Sequence, residues 1–262
     1  MNKLFIIKIG GNVLDNPAAL KAFLADFASI KANKVLIHGG GKIATKIGDQ
    51  LGIESKYVNG RRITDAATLD VVTMVYGGLV NKQIVASLQA LGCNAIGLTG
   101  ADGNVIKASK RPVKEIDYGF VGDVKNDNVN VSLLSSLINQ GVVPVFAPLT
   151  HADGSILNTN ADTIASVLAV ALSKVFDVRL IFCFEKKGVL RDVNDNASVI
   201  THLPKKMYDD LLTKNVFADG ILPKLENAYD AIRAGVNGVL IGEASDLIKN
   251  TSDKTAGTLI TE

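Results

Sequence analysis

Two short apolar runs, Leu4–Ile9 and Val35–Ile37, each end in glycine and each give way to a segment with helical spacing. Gly10-Gly11 follows the first, and then Pro17–Ile30 places Leu20, Phe23, Leu24, Phe27 and Ile30 on one face. Gly39-Gly40-Gly41 follows the second, and Lys42–Leu51 resumes a helical pattern that Gly52 stops. Strand, glycine turn, helix, repeated at once, is the βαβ signature. Parallel strands need a crossover helix to bring the chain back, so the pattern predicts an α/β fold with a parallel sheet covered by helices.

The remaining chain continues that alternation. Ala66–Leu91 holds one long helix or two shorter ones, interrupted by Gly77-Gly78. Ala95–Leu98 is a strand opening into the turn-forming run Thr99–Asn104, and Val105–Val124 reads as hairpin material beside the sheet. A helix over Val131–Ile138, a strand over Val142–Ala147 and a short strand over Ser155–Leu157 lead to the cluster Asn158-Thr159-Asn160-Ala161-Asp162 and a helix to Leu172. A second series follows: a strand at Arg179–Phe184, helices over Pro204–Leu212 and Leu222–Ala234, a strand at Gly238–Ile241 and an expected edge strand at Thr258–Ile260. A boundary near 175–180 divides the chain into lobes 1–177 and 178–262, with no Pro/Gly/Ser linker between them.

Bulk properties narrow the classes. With 262 residues the chain can bury a sizeable core, and 47% hydrophobic with 21% charged residues fits a soluble globular protein. A net charge of +2 gives no field for nucleic acid. The N-terminal apolar stretch is too short and too soon interrupted for a signal peptide or a membrane span, so a cytoplasmic protein with no membrane partner is expected. Cys93 and Cys183 stand in apolar surroundings and read as reduced, buried thiols. The three histidines, His38, His151 and His202, lack ligand spacing, and no metal site is expected.

The candidate site comes from charges where a core should be. Lys8 lies inside an apolar strand two positions before Gly10-Gly11, a costly place unless its ammonium meets an anion; an edge-strand lysine is the plain alternative. Glycines at 10, 11, 40 and 41 let backbone N–H groups approach phosphate, and the second set precedes a helix N-terminus that favours anions; a purely structural turn would also use them. Neither set matches the usual phosphate-loop or dinucleotide pattern. Arg62 follows a glycine turn and offers a fork for a carboxylate. Asn158, Asn160 and Asp162 alternate into a helix start, where they could converge on a ligand or, for Asp162, simply cap the helix. Lys224, alone, reads as a solvated lysine near a helix start.

Taken together these elements resemble the acetylglutamate kinases of the amino acid kinase family. The resemblance runs in order through Lys8-Ile9-Gly10-Gly11, Ile37–Gly41, Asn59–Thr64, Leu98–Gly103, Gly119–Gly122, Asn158–Asp162, Gly188–Leu190, Gly220–Lys224 and Gly257-Thr258. It implies the carbamate kinase-like fold, a three-layer αβα sandwich around a central, mainly parallel open sheet. It also implies phosphoryl transfer from ATP to the γ-carboxylate of N-acetyl-L-glutamate, on the route to arginine. Lys8 would meet the transferring phosphoryl and Lys224 the ATP phosphates, with Asp162 orienting both. Gly10, Gly11, Gly40 and Gly41 would bind phosphate. Gly40, Gly41, Arg62, Asn158 and Asn160 would hold the amino acid. Glu185, Gly188, Leu190, Gly220 and Lys224 would border the nucleotide, and Mg²⁺ would come with ATP.

Two departures stand out. Phe182–Lys187 replaces a run in which a small hydroxylated residue and an aspartate precede valine and glycine; here Phe184 is bulky and Glu185 takes the aspartate's offset. Ala101 stands where a lysine is common. The alternatives left open are N-succinyl-L-glutamate as substrate, another amino acid or carbamate kinase, and a non-catalytic acylglutamate sensor. The resemblance implies a homodimer joined through the N-terminal lobe, and a first strand beginning at residue 4 is expected to go without the N-terminal helix that builds arginine-inhibited hexamers.

Overall fold

The structure, a computed structural model, describes residues 1–192, 194–214, 216–217 and 221–262. Gly220, expected beside the nucleotide, lies outside the described residues. Eight strands form the main sheet: β1 Lys3–Ile9, β2 Asn33–His38, β3 Ala95–Leu98, β4 Val143–Phe146, β5 Asp177–Phe184, β6 His202–Pro204, β7 Gly238–Glu243 and β8 Thr258–Thr261. Their spatial order is β6-β8-β7-β5-β1-β2-β4-β3. Every neighbouring pair is parallel except β7 with β8. Thr258–Ile260 therefore forms a strand as expected, but not an edge: β6 pairs outside it through His202↔Leu259 and Leu203↔Ile260. Three residues around His202 carry too little periodicity to announce a strand.

Alternation along β1 sorts its side chains onto two apolar layers. Phe5, Ile7 and Ile9 join one core with Leu36, Val145 and Ile181, and α1 (Pro17–Ser29), α2 (Gly41–Gln50) and α3 (Ala66–Ala90) cover it. Leu4 and Ile6 join the other with Val35, Leu180 and Val239, under α4 (Val131–Asn139), α5 (Ala161–Leu172), α6 (Lys205–Thr213) and α7 (Leu222–Arg233). This is the expected three-layer sandwich. The period also decides where Lys8 points, because it shares the face of Leu4 and Ile6 and so turns toward α5 and α7.

The sheet is continuous across the expected lobe boundary. Asp177 opens β5, which pairs with β1 over seven positions, Lys3↔Asp177 to Ile9↔Cys183. The crossovers leave β1 and β5 on opposite faces, so the strand order reverses beside β1, and ligands gather at the C-terminal ends of strands at such a point.

α3 runs unbroken from Ala66 to Ala90, with a π-helical stretch at Thr73–Val80 where Gly77-Gly78 suggested a break. Its length and hydropathy would let it cross a membrane by composition alone, but Val72, Val75, Ile84 and Leu88 are buried in the core beneath the sheet. Beside the sheet, Leu149–Ala152 and Ser155–Asn158 form a hairpin, and Ser109–Lys110 pairs with Gly122–Asp123 across the expected insert.

Candidate active site

Asp162 is the centre of the site. It occupies the first turn of α5, where the helix dipole favours a carboxylate. It does not cap that helix: Asn160 does, its Oδ1 accepting from the backbone N–H of Asp162 at 2.8 Å and of Thr163 at 3.1 Å. The side chain of Asp162 is thereby released from capping and faces two ammonium groups. Lys8 Nζ lies 2.8 Å from its Oδ1 and Lys224 Nζ lies 4.0 Å from its Oδ2. Residues 8 and 224 come from a central strand and from the first turn of α7. The sequence separation of 216 hides their partnership, and only the shared face of the sheet creates it.

The glycine turns stand at the ends of β1 and β2. Gly40 has φ +148°, and a Cβ there would come within 3.0 Å of the Tyr76 ring. Both facts demand glycine. Gly11 begins a one-turn helix, Gly11–Leu14, and Gly41 begins α2, so each turn presents helix-start N–H groups on the side where the strands end. Asp15 and Lys42 pair across the two turns at 3.3 Å.

A prop lies beneath the second turn. Fully buried His38 donates from Nδ1 to the Gly39 carbonyl at 2.7 Å, and its Nε2 accepts from Asn81 Nδ2 at 3.2 Å. Asn81 also donates to the Val145 carbonyl at 2.9 Å. Burial, joined by the nearby Lys82 charge, pushes the imidazole down to about 4 despite the opposing Gly39 hydrogen bond. This ring is a neutral structural donor, not a base.

Arg62 is buried. Its Nη2 donates to the Gly41 carbonyl at 2.8 Å and to Thr45 Oγ1 at 3.0 Å, its Nη1 donates to Ser55 Oγ, and its guanidinium lies 4.8 Å from the Tyr57 ring centroid. Among the described residues no carboxylate lies within ion-pair distance of it. A buried positive charge held only by neutral acceptors is costly, and an anionic ligand would relieve it. Asn158 donates from Nδ2 to Thr64 Oγ1 at 3.0 Å. A cavity of about 600 Å³ brings together Gly40, Gly41, Arg62, Tyr76, Asn158 and Asn160. A second, of about 340 Å³, is lined by Asp162, Phe182 and Lys224 among others, and shares Arg61, Asn160 and Thr163 with the first.

The structure thus gathers Lys8, Asp162 and Lys224, and separately Gly40, Gly41, Arg62, Asn158 and Asn160. It does not bring Glu185, Gly188 and Leu190 into either cavity. Glu185 is exposed just beyond β5. Gly188 is packed so closely that a Cβ would meet Thr258 Oγ1 at 2.6 Å, and Leu190 bridges to Val199. Sequence reasoning missed Tyr57 and Tyr76. Tyr76 sits in the π-helical turn that Gly77-Gly78 marked as irregular, and such turns accompany functional sites. Burial pushes its phenol up, and the Arg62 charge opposes that.

A model of the amino acid kinase family matches residues 3–243. The chain belongs to this family. Within it the chain belongs with the acetylglutamate kinases. It is 58% identical over 261 residues to the acetylglutamate kinase of Cytophaga hutchinsonii, covering 98% of each chain. To that of Bacteroides fragilis it is 62% identical over 244 residues, 93% of each chain. Carbamate kinase from Giardia lamblia, solved with AMP-PNP bound, superposes with a TM-score of 0.69 at 14% identity over 100% of this chain and 98% of that one. This amino acid kinase therefore has the carbamate kinase-like fold.

Proposed function

We propose that this amino acid kinase transfers the γ-phosphoryl group of ATP to the γ-carboxylate of N-acetyl-L-glutamate, giving the acyl phosphate and ADP for arginine biosynthesis. The observation that carries the reading is the row Lys8–Asp162–Lys224 beside a cavity with a buried arginine that has no carboxylate partner among the described residues.

A carboxylate is already a nucleophile, so the reaction needs no general base. None is offered by His38, which is neutral and fully buried. What transfer needs is alignment and positive charge on the equatorial phosphoryl oxygens. Lys8 and the N–H groups of Gly10, Gly11, Gly40 and Gly41 supply charge and dipoles at the strand ends. Lys224 supplies the second cation, and Asp162 keeps both ammonium groups oriented. Arg62, with Asn158, binds the α-carboxylate and amide of the amino acid, and Asn160 holds the wall between the cavities.

In this reading residues 1–177 carry the acylglutamate pocket and 178–262 the ATP site, where Glu185, Gly188, Leu190 and Gly220 would border the nucleotide. Mg²⁺ would be held by the ATP phosphates, since Asp162 is already engaged by two lysines. It would neutralise phosphate charge there. The enzyme acts in the cytoplasm as a homodimer; exposed Met74 and Leu79 on α3 and Ile96 on the edge strand β3 are apolar surface that a second copy would cover.

One observation favours a second acyl group. A cavity of about 450 Å³ lined by Arg61, Arg111, Lys114, Glu115 and Tyr118 adjoins the first, sharing Arg61, Arg111 and Asp123. Arg111 there is paired with Asp123 at 2.6 Å, so Arg61 and Lys114 are the side chains that would meet the extra carboxylate of N-succinyl-L-glutamate. ADP release measured with N-acetyl- and N-succinyl-L-glutamate, glutamate, aspartate and carbamate tests both readings. Turnover with an acyl glutamate is expected. Turnover only with an unacylated acid, or none at all, would overturn the assignment and, in the second case, leave a sensor.

A further inference from the structure

Among the described residues two neighbours hold the Lys224 ammonium, and they hold it differently. Asp162 Oδ2 lies 4.0 Å away, while the other oxygen of that carboxylate grips Lys8 at 2.8 Å. The Phe184 ring centroid lies 4.5 Å from Lys224 Nζ, within the range of a cation–π contact. The carboxylate is thus committed chiefly to Lys8. The ring is a second, uncharged support for Lys224.

We propose that Phe184 is a positioning residue for Lys224, its ring face holding the ammonium ready for the nucleotide's phosphate oxygens. This rests on the kinase reading above. The ring is itself well anchored. Phe184 ends β5, pairs in register with Glu243 of β7, and packs half-buried against the core on the α5 and α7 side. Phe182, two residues earlier on the same strand face, is the register partner of Lys8 and lines the cavity that contains Lys224.

An aromatic face suits this task for an electrostatic reason. It attracts a cation through its quadrupole while carrying no net charge. A second carboxylate would fix Lys224 more firmly, yet would repel the phosphates that the lysine must meet. With the ring in that place, two lysines against one aspartate leave the cluster net positive among the described residues. A lysine stem is flexible, and a cation already oriented before transfer loses less freedom when the transition state forms.

The test uses the full chain labelled with ¹³C at lysine Cε, together with steady-state kinetics in ATP and N-acetyl-L-glutamate. Lys224→Arg assigns the Lys224 resonance. In the unsubstituted protein that resonance is expected upfield, shifted by the ring; Phe184→Leu should return it to the position of exposed lysines, and Phe184→Tyr should retain the shift. Phe184→Leu should lower kcat about three- to tenfold with the KM for N-acetyl-L-glutamate unchanged, the scale of one partly exposed cation–π contact. Phe184→Tyr should restore kcat. An unshifted Lys224 resonance in the unsubstituted protein, or equal kcat in Phe184→Leu and wild type, would overturn the proposal. If the unsubstituted protein forms no ADP, the kinase reading fails by itself, and the lysine spectrum still decides whether Phe184 holds Lys224.

Discussion

Two lysines face one carboxylate, and they are held in opposite ways. Lys8 rises from the centre of an eight-stranded sheet, its side chain only 16% exposed, and pairs with Asp162 at 2.8 Å. Lys224 sits on the first turn of a surface helix, is 37% exposed, and reaches the same aspartate at 4.0 Å. The β1 side is a fixed frame: strand, glycine turns, and the His38–Asn81 prop beneath them. The α7 side is more open to solvent, and its lysine lies against an aromatic ring. For a phosphoryl transferase the difference makes sense, because one reactant must be fixed while the nucleotide enters and leaves.

The sharpest way to break this contrast is to remove each lysine in turn. Lys8→Ala should lower kcat by about 10²–10³-fold, as loss of a preorganised donor does. Lys224→Ala should cost less, about ten- to a hundredfold, because the position is less fixed beforehand. Both should change kcat far more than the KM for the acyl glutamate. Equal losses from the two, measured in the same ADP-release assay, would erase the distinction.

The fixed frame should also show a pH signature. His38 has its folded pKa depressed to about 4 from an ordinary 6.5, chiefly by burial. Between those values the unfolded chain takes up a proton that the folded chain refuses, so stability falls as pH drops through that window. The loss should approach about 3 kcal/mol by pH 4 and then level off. Urea unfolding at pH 7 and pH 4.5 measures it, and His38→Gln should flatten the difference. A slope unchanged by that substitution would remove His38 from the frame.

Two further effects sharpen the picture. Arg62→Ala should raise the KM for the acyl glutamate about ten- to a hundredfold, the scale of lost charged hydrogen bonds, with kcat largely retained. An unchanged KM would mean that the buried guanidinium only braces Gly41, Thr45 and Ser55. Asn160→Ala should remove the cap of α5 and cost about 1 kcal/mol of stability in thermal unfolding. A loss of activity without that destabilisation would make Asn160 a ligand rather than a cap.

Much of this was legible along the chain because its signals are local. Unbroken apolar runs ending in glycine predict buried parallel strands and ligand-ready turns, and β1, β2, α1 and α2 form where that pattern places them. Lys8 was conspicuous because a charge in a buried strand needs a reason. The strand at residues 202–204 escaped notice because its pairing with β8 is its whole justification. Asp162 read as a capping candidate, and the cap proved to be Asn160, two residues earlier, because a residue's place relative to the first helical turn depends on where the preceding hairpin lets the helix begin. The resemblance sets the turn around Gly188 beside the nucleotide, but its tight packing against Thr258 is a contact across 70 residues that no local pattern contains.

The sequence by itself determined the layered α/β architecture, the glycine turns and the residue types able to meet phosphate and carboxylate, since period, turn chemistry and the cost of buried charge act over a few residues. Only the tertiary structure decided which of those groups work together. Lys8 and Phe184 meet Asp162 and Lys224 because strand alternation turns the first two toward the face that α5 and α7 cover, and the parallel sheet brings β1 and β5 side by side. A direct ion pair needs its charges within about 4 Å, and a distance that short between residues far apart in sequence exists only once the sheet has formed.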